Sequence, residues 1–108
     1  MKIKVSEATN LQIDWLVAKC AGNMGHKLKD FWLVHMEDPD LQYSTNWNQG
    51  GPILEREKIQ LGFGTMWSAF TIDQWPTLTL GETPLIAAMR CFIASRLGDE
   101  VDVPEELK

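Results

Sequence analysis

Hydrophobic positions recur at helical spacing in two stretches of the chain. The first stretch follows Thr9 and Asn10, either of which can cap a helix, and it runs to Ala21, where Gly22 supplies a left-handed stop. It presents a wide apolar stripe on two adjoining faces, made of Leu11, Trp15 and Ala18 and of Ile13, Val17 and Cys20.

The second helical stretch has clearer boundaries. Thr83 is a capping residue, Pro84 occupies the first helical position, and Gly98 follows the last apolar residue. The helix is therefore predicted to span 84–97. Its inner face is predicted to bury Leu85, Ile86, Met89, Ile93 and Leu97.

Alternation of polar and apolar residues predicts short strands between and before these helices. Strands are predicted at residues 1–6, at 31–35, at 53–62 with a bend near Lys58, and at 65–71. Residues 41–52 have no sustained period and are predicted to be a long loop. The expected fold is α+β, with two main helices packed on a small antiparallel β-sheet and a long central loop.

The domain organisation follows from length and from the composition of the C-terminus. At 108 residues the chain is long enough for one modest core. Residues 1–98 are predicted to form a single α+β domain. The last ten residues include five acids and Pro104, so 99–108 is predicted to be an acidic, extended and solvated tail.

Charge and composition exclude several classes of partner. A formal net charge of −5 disfavours binding to a nucleic acid polymer, although arginines that converge on one pocket can still hold a small anion. No stretch has the length and hydrophobicity of a membrane span or of a signal peptide. We expect a cytoplasmic protein, with Cys20 and Cys91 as free thiols.

Motifs for catalysis or metal binding are weak. His26 and His35 are too far apart for a typical pair of metal ligands, so no metal and no cofactor is predicted. Glu55 and Glu57 would share one face of a strand, where two carboxylates can act as acid and base. The simpler interpretation is a solvated strand face, and an enzyme is the less favoured class.

The uncharged segment NWNQGGP, residues 46–52, is the candidate ligand site. Its glycines allow close approach of the backbone, its carboxamides can read polar edges, and nearby aromatic rings can stack on a flat ligand. Two simpler interpretations stay open: the carboxamides satisfy their own backbone, and the tryptophans fill the core. The candidate ligand-binding residues are Tyr43, Thr45, Asn46, Trp47, Gln49, Gly50, Gly51, Arg56, Trp67 and Trp75.

The same segment carries a resemblance to a known family. Three parts of the chain resemble the phage NinX family. They are the ordered residues Ser44, Thr45, Trp47, Gln49, Gly50, Gly51 and Pro52, the first-helix residues Asp14, Trp15, Ala18 and Lys19, and the final stretch TPLIAAMRCFIASRLGDEVDVPEEL. The function of that family is not established. The resemblance implies a small accessory protein of a phage or prophage, acting in the cytoplasm of the bacterial host.

Together these observations favour a non-catalytic protein that binds a small nucleotide-like molecule and so sequesters a host defence signal. Tryptophan would stack on the base, the loop would read its polar edges, and Arg56 would pair with phosphate. The first alternative is a module that inhibits a host enzyme through an acidic surface and an exposed aromatic loop; a small hydrolase is the second. A few-stranded sheet with many aromatics also predicts a homo-oligomer.

Overall fold

The computed structural model describes residues 1–21, 42–72 and 78–103, and the fold is given for these ranges. Three helices and two small antiparallel sheets lie in them, which confirms the α+β class. The helices are α1 (Asn10–Ala21), α2 (Trp47–Arg56) and α3 (Pro84–Leu97). The strands are β1 (Lys2–Lys4), β2 (Gln60–Phe63), β3 (Trp67–Phe70), β4 (Thr79–Gly81) and β5 (Glu100–Asp102), and a 3-10 turn (Val5–Glu7) follows β1.

Helix α3 forms the centre of the core and packs against α1, α2, β3 and β4. Its start is capped as predicted, since the Thr83 hydroxyl accepts a hydrogen bond from the Ile86 amide at 3.1 Å. Gly98, at a φ of 88°, ends it. The prediction for its inner face is wrong at Leu97, which lies in the last turn and is 41% exposed. The buried residues of α3 are Leu85, Ile86, Ala87, Ala88, Met89, Cys91, Phe92 and Ile93.

Helix α1 begins with a reciprocal cap at Thr9. The Gln12 amide donates to the Thr9 hydroxyl at 3.3 Å, and the Thr9 amide donates to the Gln12 side-chain oxygen at 2.9 Å. This arrangement satisfies two of the amides that a helix start leaves unpaired. The helix then buries Ile13, Leu16 and Val17 in the core, so the predicted span of this helix is confirmed up to Ala21.

The larger sheet has the strand order β2-β3-β4, with both pairs antiparallel. Leu61, Ala69 and Thr79 lie opposite one another in the register. The Thr79 hydroxyl donates to the Ala87 carbonyl of α3 at 3.0 Å, so this face of the sheet covers the central helix. The predicted strand at 65–71 is confirmed in its middle, as β3.

The two ends of the described chain form a separate ribbon. Strand β5 pairs antiparallel with β1, with Ile3 opposite Val101, and both Val101 and Val103 are buried. Residues 100–102, which belong to the predicted acidic tail, therefore form a strand that places Val101 in the core. Residues 104–108, including Pro104, lie outside the described residues.

The centre of the chain differs most from the sequence prediction. The predicted loop at 41–52 is wrong from residue 47 onward, because residues 47–56 form α2, which also replaces the first half of the predicted strand at 53–62. Residues 42–46 form a turn, without helix or strand. The predicted bend is confirmed, since Lys58 has a positive φ of 55° between α2 and β2. The predicted strand at 31–35 lies outside the described residues.

No described helix has the length and hydrophobicity needed to cross a membrane.

Candidate functional site

The carboxamides of NWNQGGP hold the start of α2. Asn46 is the N-cap, and its side-chain oxygen accepts a hydrogen bond from the Asn48 amide at 2.9 Å. The Asn46 carbonyl accepts from the amides of Gln49 and Gly50, both at 3.0 Å. The Gln49 side-chain oxygen accepts from the Gln42 amide at 2.7 Å. Asn46 and Gln49 thus bind their own backbone, as the simpler interpretation of this segment required.

The turn before α2 is tied to α1. Tyr43 and Ser44 are buried, whereas Thr45 is exposed and donates its amide to the Gln42 carbonyl at 3.2 Å. The Ser44 amide donates to the carboxylate of Asp14 at 2.7 Å. Burial raises the pKa of Asp14 to about 6, and the hydrogen bonds from Ser44 act in the opposite direction. Tyr43 and Ser44 therefore connect α1 to α2 within the core.

The two glycines of the segment have different surroundings. A Cβ at Gly50 would overlap the Tyr43 carbonyl oxygen and approach the Leu85 Cδ1 atom at 2.7 Å. Glycine at position 50 therefore lets α2 pack closely against the preceding turn and α3. A Cβ at Gly51 would lie 3.6 Å from the indole of Trp47, an ordinary contact distance.

Among the predicted aromatic residues that the structure describes, Trp47 is the one that is largely exposed to solvent. It is the first residue of α2 and is 51% exposed. Exposed Asn48 and Pro52 lie on the same short helix. The indole is therefore available for contact with another molecule.

Arg56 lies far from Trp47 on α2. Arg56 follows Trp47 by nine positions along this helix, which is about two and a half turns and places the two side chains on opposite faces. The Arg56 guanidinium donates to Glu57 at 3.0 Å. The structure therefore does not bring Trp47 and Arg56 together on one face for a single small ligand.

Glu55 and Glu57 do not form the predicted pair of strand carboxylates. Glu55 is an exposed residue of α2, and Glu57 follows that helix. Arg56 and Arg96 both donate to Glu57, the latter at 2.9 Å. The hydrogen bond from Arg56 lowers the pKa of Glu57 most, and Arg96 adds to the effect. Glu57 is thus held as a carboxylate, which does not suit a general acid.

Of the two remaining predicted aromatic residues, the structure describes only Trp67. Trp67 belongs to β3, is partly buried against the core, and packs on Phe63 with ring centroids 5.0 Å apart. Trp75 lies outside the described residues. Of the ten predicted site residues, the structure places seven, from Tyr43 to Gly51, in one continuous segment and separates Arg56 and Trp67 from them.

The sequence analysis missed Arg90 as a candidate site residue. Its guanidinium donates to the Leu80 carbonyl at 2.7 Å and to the Ala8 carbonyl at 2.9 Å, and so links β4 to the start of α1. Burial lowers the pKa of Arg90, and nearby Glu82 opposes this effect. The sequence signal that could have identified Arg90 is a charged residue between apolar neighbours in the middle of a helix, which commonly marks a specific interaction.

Arg90 lines a groove of about 590 Å³ that we call the Arg90 groove. The groove lies between β1 with its following turn, β4 and α3, and its wall includes Lys4, Ser6, Leu78 and Leu80. None of the nine predicted site residues that the structure describes lines this groove or a second cavity of about 490 Å³ beside β1. The described residues contain no group of three or more His, Cys, Asp or Glu side chains that could hold a metal, and both cysteines are free.

Comparison with known proteins supports the resemblance found in the sequence. A search among curated proteins gave no match. The family model described as Bacteriophage P22, NinX matches residues 4–96, a range that includes α1, α2 and nearly all of α3. The chain therefore belongs to the phage NinX family.

Proposed function

We propose that this NinX family protein is a phage accessory protein that binds a host protein without catalysis. The binding surface, which we call the Trp47 surface, consists of the exposed uncharged residues Thr45, Trp47, Asn48 and Pro52. The supporting observation is that the half-exposed indole lies in a segment, 42–54, that has no charged residue in a chain with ten basic and 15 acidic ones. The centres of protein interfaces are depleted in charge and enriched in tryptophan. The Trp47 surface has both properties.

The fixed position of the indole adds to this proposal. The hydrogen bonds of Asn46 and Gln49 hold the first turn of α2, and Gly50 packs that helix against α3. An anchor whose backbone is already fixed loses less conformational freedom when it binds. We expect the rest of α2 to change little on binding.

A small nucleotide-like ligand, such as a host defence signal, is the alternative proposal. The exposed Trp47 indole offers a face on which a base can stack, for about 1–3 kcal/mol. Phosphate would have to be held by a residue other than Arg56, which lies on the opposite face and binds Glu57. This requirement makes a protein partner the better supported of the two.

Native mass spectrometry of tagged protein from infected host cells tests the proposal. Three forms are compared: wild type, Trp47→Ala, and Phe63→Ala as a control that removes another exposed aromatic ring. We expect a host protein to copurify with wild type and Phe63→Ala and to be lost with Trp47→Ala. A retained small molecule that depends on Trp47 would support the alternative instead. A partner retained equally by all three forms would contradict both proposals.

A further inference from the structure

Within the described parts of the chain, no carboxylate makes a direct ion pair with the positive charge of Arg90. Ion pairs among the described residues join Glu57 to Arg56 and to Arg96, and none includes Arg90. Its two hydrogen bonds go to main-chain carbonyls, which are neutral. A partly buried charge is costly unless an opposite charge or several hydrogen bonds compensate it.

The Arg90 guanidinium also has N–H groups that its two hydrogen bonds to Leu80 and Ala8 do not use. Arginine has five N–H groups, and Arg90 uses one on each terminal nitrogen for Leu80 and Ala8. Its Nε–H is buried and has no hydrogen-bond partner within the described parts of the chain. Because two carbonyls fix the planar group, its remaining terminal hydrogens are already oriented for an acceptor.

The groove beside Arg90 offers apolar walls as well as charge. Met66, Leu78 and Leu80 line it, and each of these side chains is exposed. Lys4 and Ser6 add a second cation and a hydroxyl. Small-molecule sites have this mixture of apolar walls and a few placed polar groups.

We propose that the Arg90 groove binds a small organic anion, whose acidic group pairs with Arg90 and whose apolar part lies against Met66, Leu78 and Leu80. This site is separate from the Trp47 surface, since α2 contributes no residue to it. The proposed anion site can therefore be tested independently of the proposed host partner.

The acidic residues of the groove limit the charge of the ligand. Asp99 and Glu100 also line it. Glu100 lies directly opposite Lys4 in the β1–β5 register, so these two opposite charges are cross-strand neighbours. The described lining residues thus contribute two cations and two carboxylates, whose charges balance, and Glu82 lies near Arg90 as a further acid. The ligand class that fits is therefore a compact monoacid or phosphate monoester, not a polyanion.

A titration followed by nuclear magnetic resonance tests the proposal. Isotope-labelled protein is titrated with phenyl phosphate, with benzoate, and with phenol as a neutral probe of the same ring size. We expect one or both anions to give saturable shifts of the amides of Ser6, Leu80 and Arg90, and phenol to bind at least several-fold more weakly. The better of the two anions shows whether the acidic group is a phosphate ester or a carboxylate.

Charge substitutions at Ser6 test the electrostatic part without disturbing Arg90. Ser6 is exposed at the groove, so Ser6→Glu should weaken anion binding about three- to tenfold and Ser6→Lys should strengthen it similarly. Gln60→Glu and Gln60→Lys make the same charge changes on exposed β2, away from the groove, and should have little effect. The proposal is overturned if phenol binds as well as the anions, or if the Ser6 and Gln60 pairs behave alike.

Discussion

Asp14 is a single residue whose pKa the fold changes strongly, because its carboxyl group is buried. The side chain is only 4% exposed, and it accepts the Ser44 amide across a sequence separation of 30 residues. Both residues lie in the range that the NinX family model matches. The bond holds the turn before α2 against α1, which gives both residues a structural role.

The raised pKa of Asp14 predicts a pH dependence of stability. Its pKa is about 6 in the fold and has an ordinary value of 3.8, so the folded state binds the proton more tightly between these values. The contribution is complete below about pH 4 and is lost as the pH rises through 6, a decrease of about 3 kcal/mol. Asp14→Asn keeps an acceptor for Ser44 without the charge. Urea unfolding from pH 4 to 8 should show this decrease in the free energy of unfolding for the wild type and not for Asp14→Asn. If the free energies of the two proteins change with pH in the same way, Asp14 is not the cause.

The neighbouring glycines of α2 provide a matched pair for a second prediction. Gly50→Ala places a methyl group against the Tyr43 carbonyl and Leu85, and should destabilise the fold by about 1–3 kcal/mol. Gly51→Ala meets only ordinary contact with Trp47 and should stabilise the helix by up to about 1 kcal/mol. Chemical denaturation measures both changes. Equal effects of the two substitutions would show that Gly50 is not tightly packed.

At the scale of elements, α2 explains where the sequence analysis failed. Two glycines and Pro52 disfavour a helix locally, and Pro52 also leaves the Asn48 carbonyl without its helical donor. Packing compensates, because Gly50 allows close contact with α3 and Ile53 enters the core. Such contacts join residues that are distant in sequence, so local propensity could not predict them.

The elements that were predicted well have local signals. The cap at Thr83, the proline after it and the glycine at position 98 bound α3 within a few residues of sequence. The roles of Asn46 and Gln49 could not be derived from local sequence, because a carboxamide can bind a ligand or the backbone. In the fold both side chains accept hydrogen bonds from backbone amides. Arg90 was missed because its carbonyl partners come from two other parts of the chain.

Helix α3 carries the third prediction. Met89 is fully buried at its centre, so Met89→Ala should lower the free energy of unfolding by about 2–5 kcal/mol. Leu97→Ala is the control on the same helix, and its cost should be smaller because Leu97 is largely exposed. Melting temperatures of the two variants give the comparison. An unchanged value for Met89→Ala would remove this residue from the core.

At the scale of the whole molecule, Trp47, Phe63 and Ile72 are exposed apolar side chains on different elements or turns. Side chains of this kind are normal when scattered and suggest association when they form one patch. The predicted homo-oligomer and the predicted host partner both stay predictions. Light scattering of the purified protein separates self-association from binding to another protein.

Closure of the domain by its terminal strands gives the last prediction. Main-chain hydrogen bonds join Met1 to Val103 in both directions, at 3.0 and 2.8 Å, and the Val5 amide donates to the Asp99 carbonyl at 2.8 Å. Val101 is buried in this ribbon, whereas adjacent Asp102 is exposed. Val101→Ala should therefore cost about 2–3 kcal/mol, and Asp102→Ala should change stability by no more than about 0.5 kcal/mol.

Denaturant unfolding followed by both tryptophan fluorescence and far-ultraviolet circular dichroism measures these effects. If the ribbon is part of the domain, Val101→Ala should shift both transitions together, as expected for one cooperative unit. A solvated tail would instead leave both transitions unchanged, because a side chain outside the core contributes little to the free energy of unfolding. The comparison thus decides whether the acidic C-terminal segment that precedes residue 104 belongs to the fold energetically as well as geometrically.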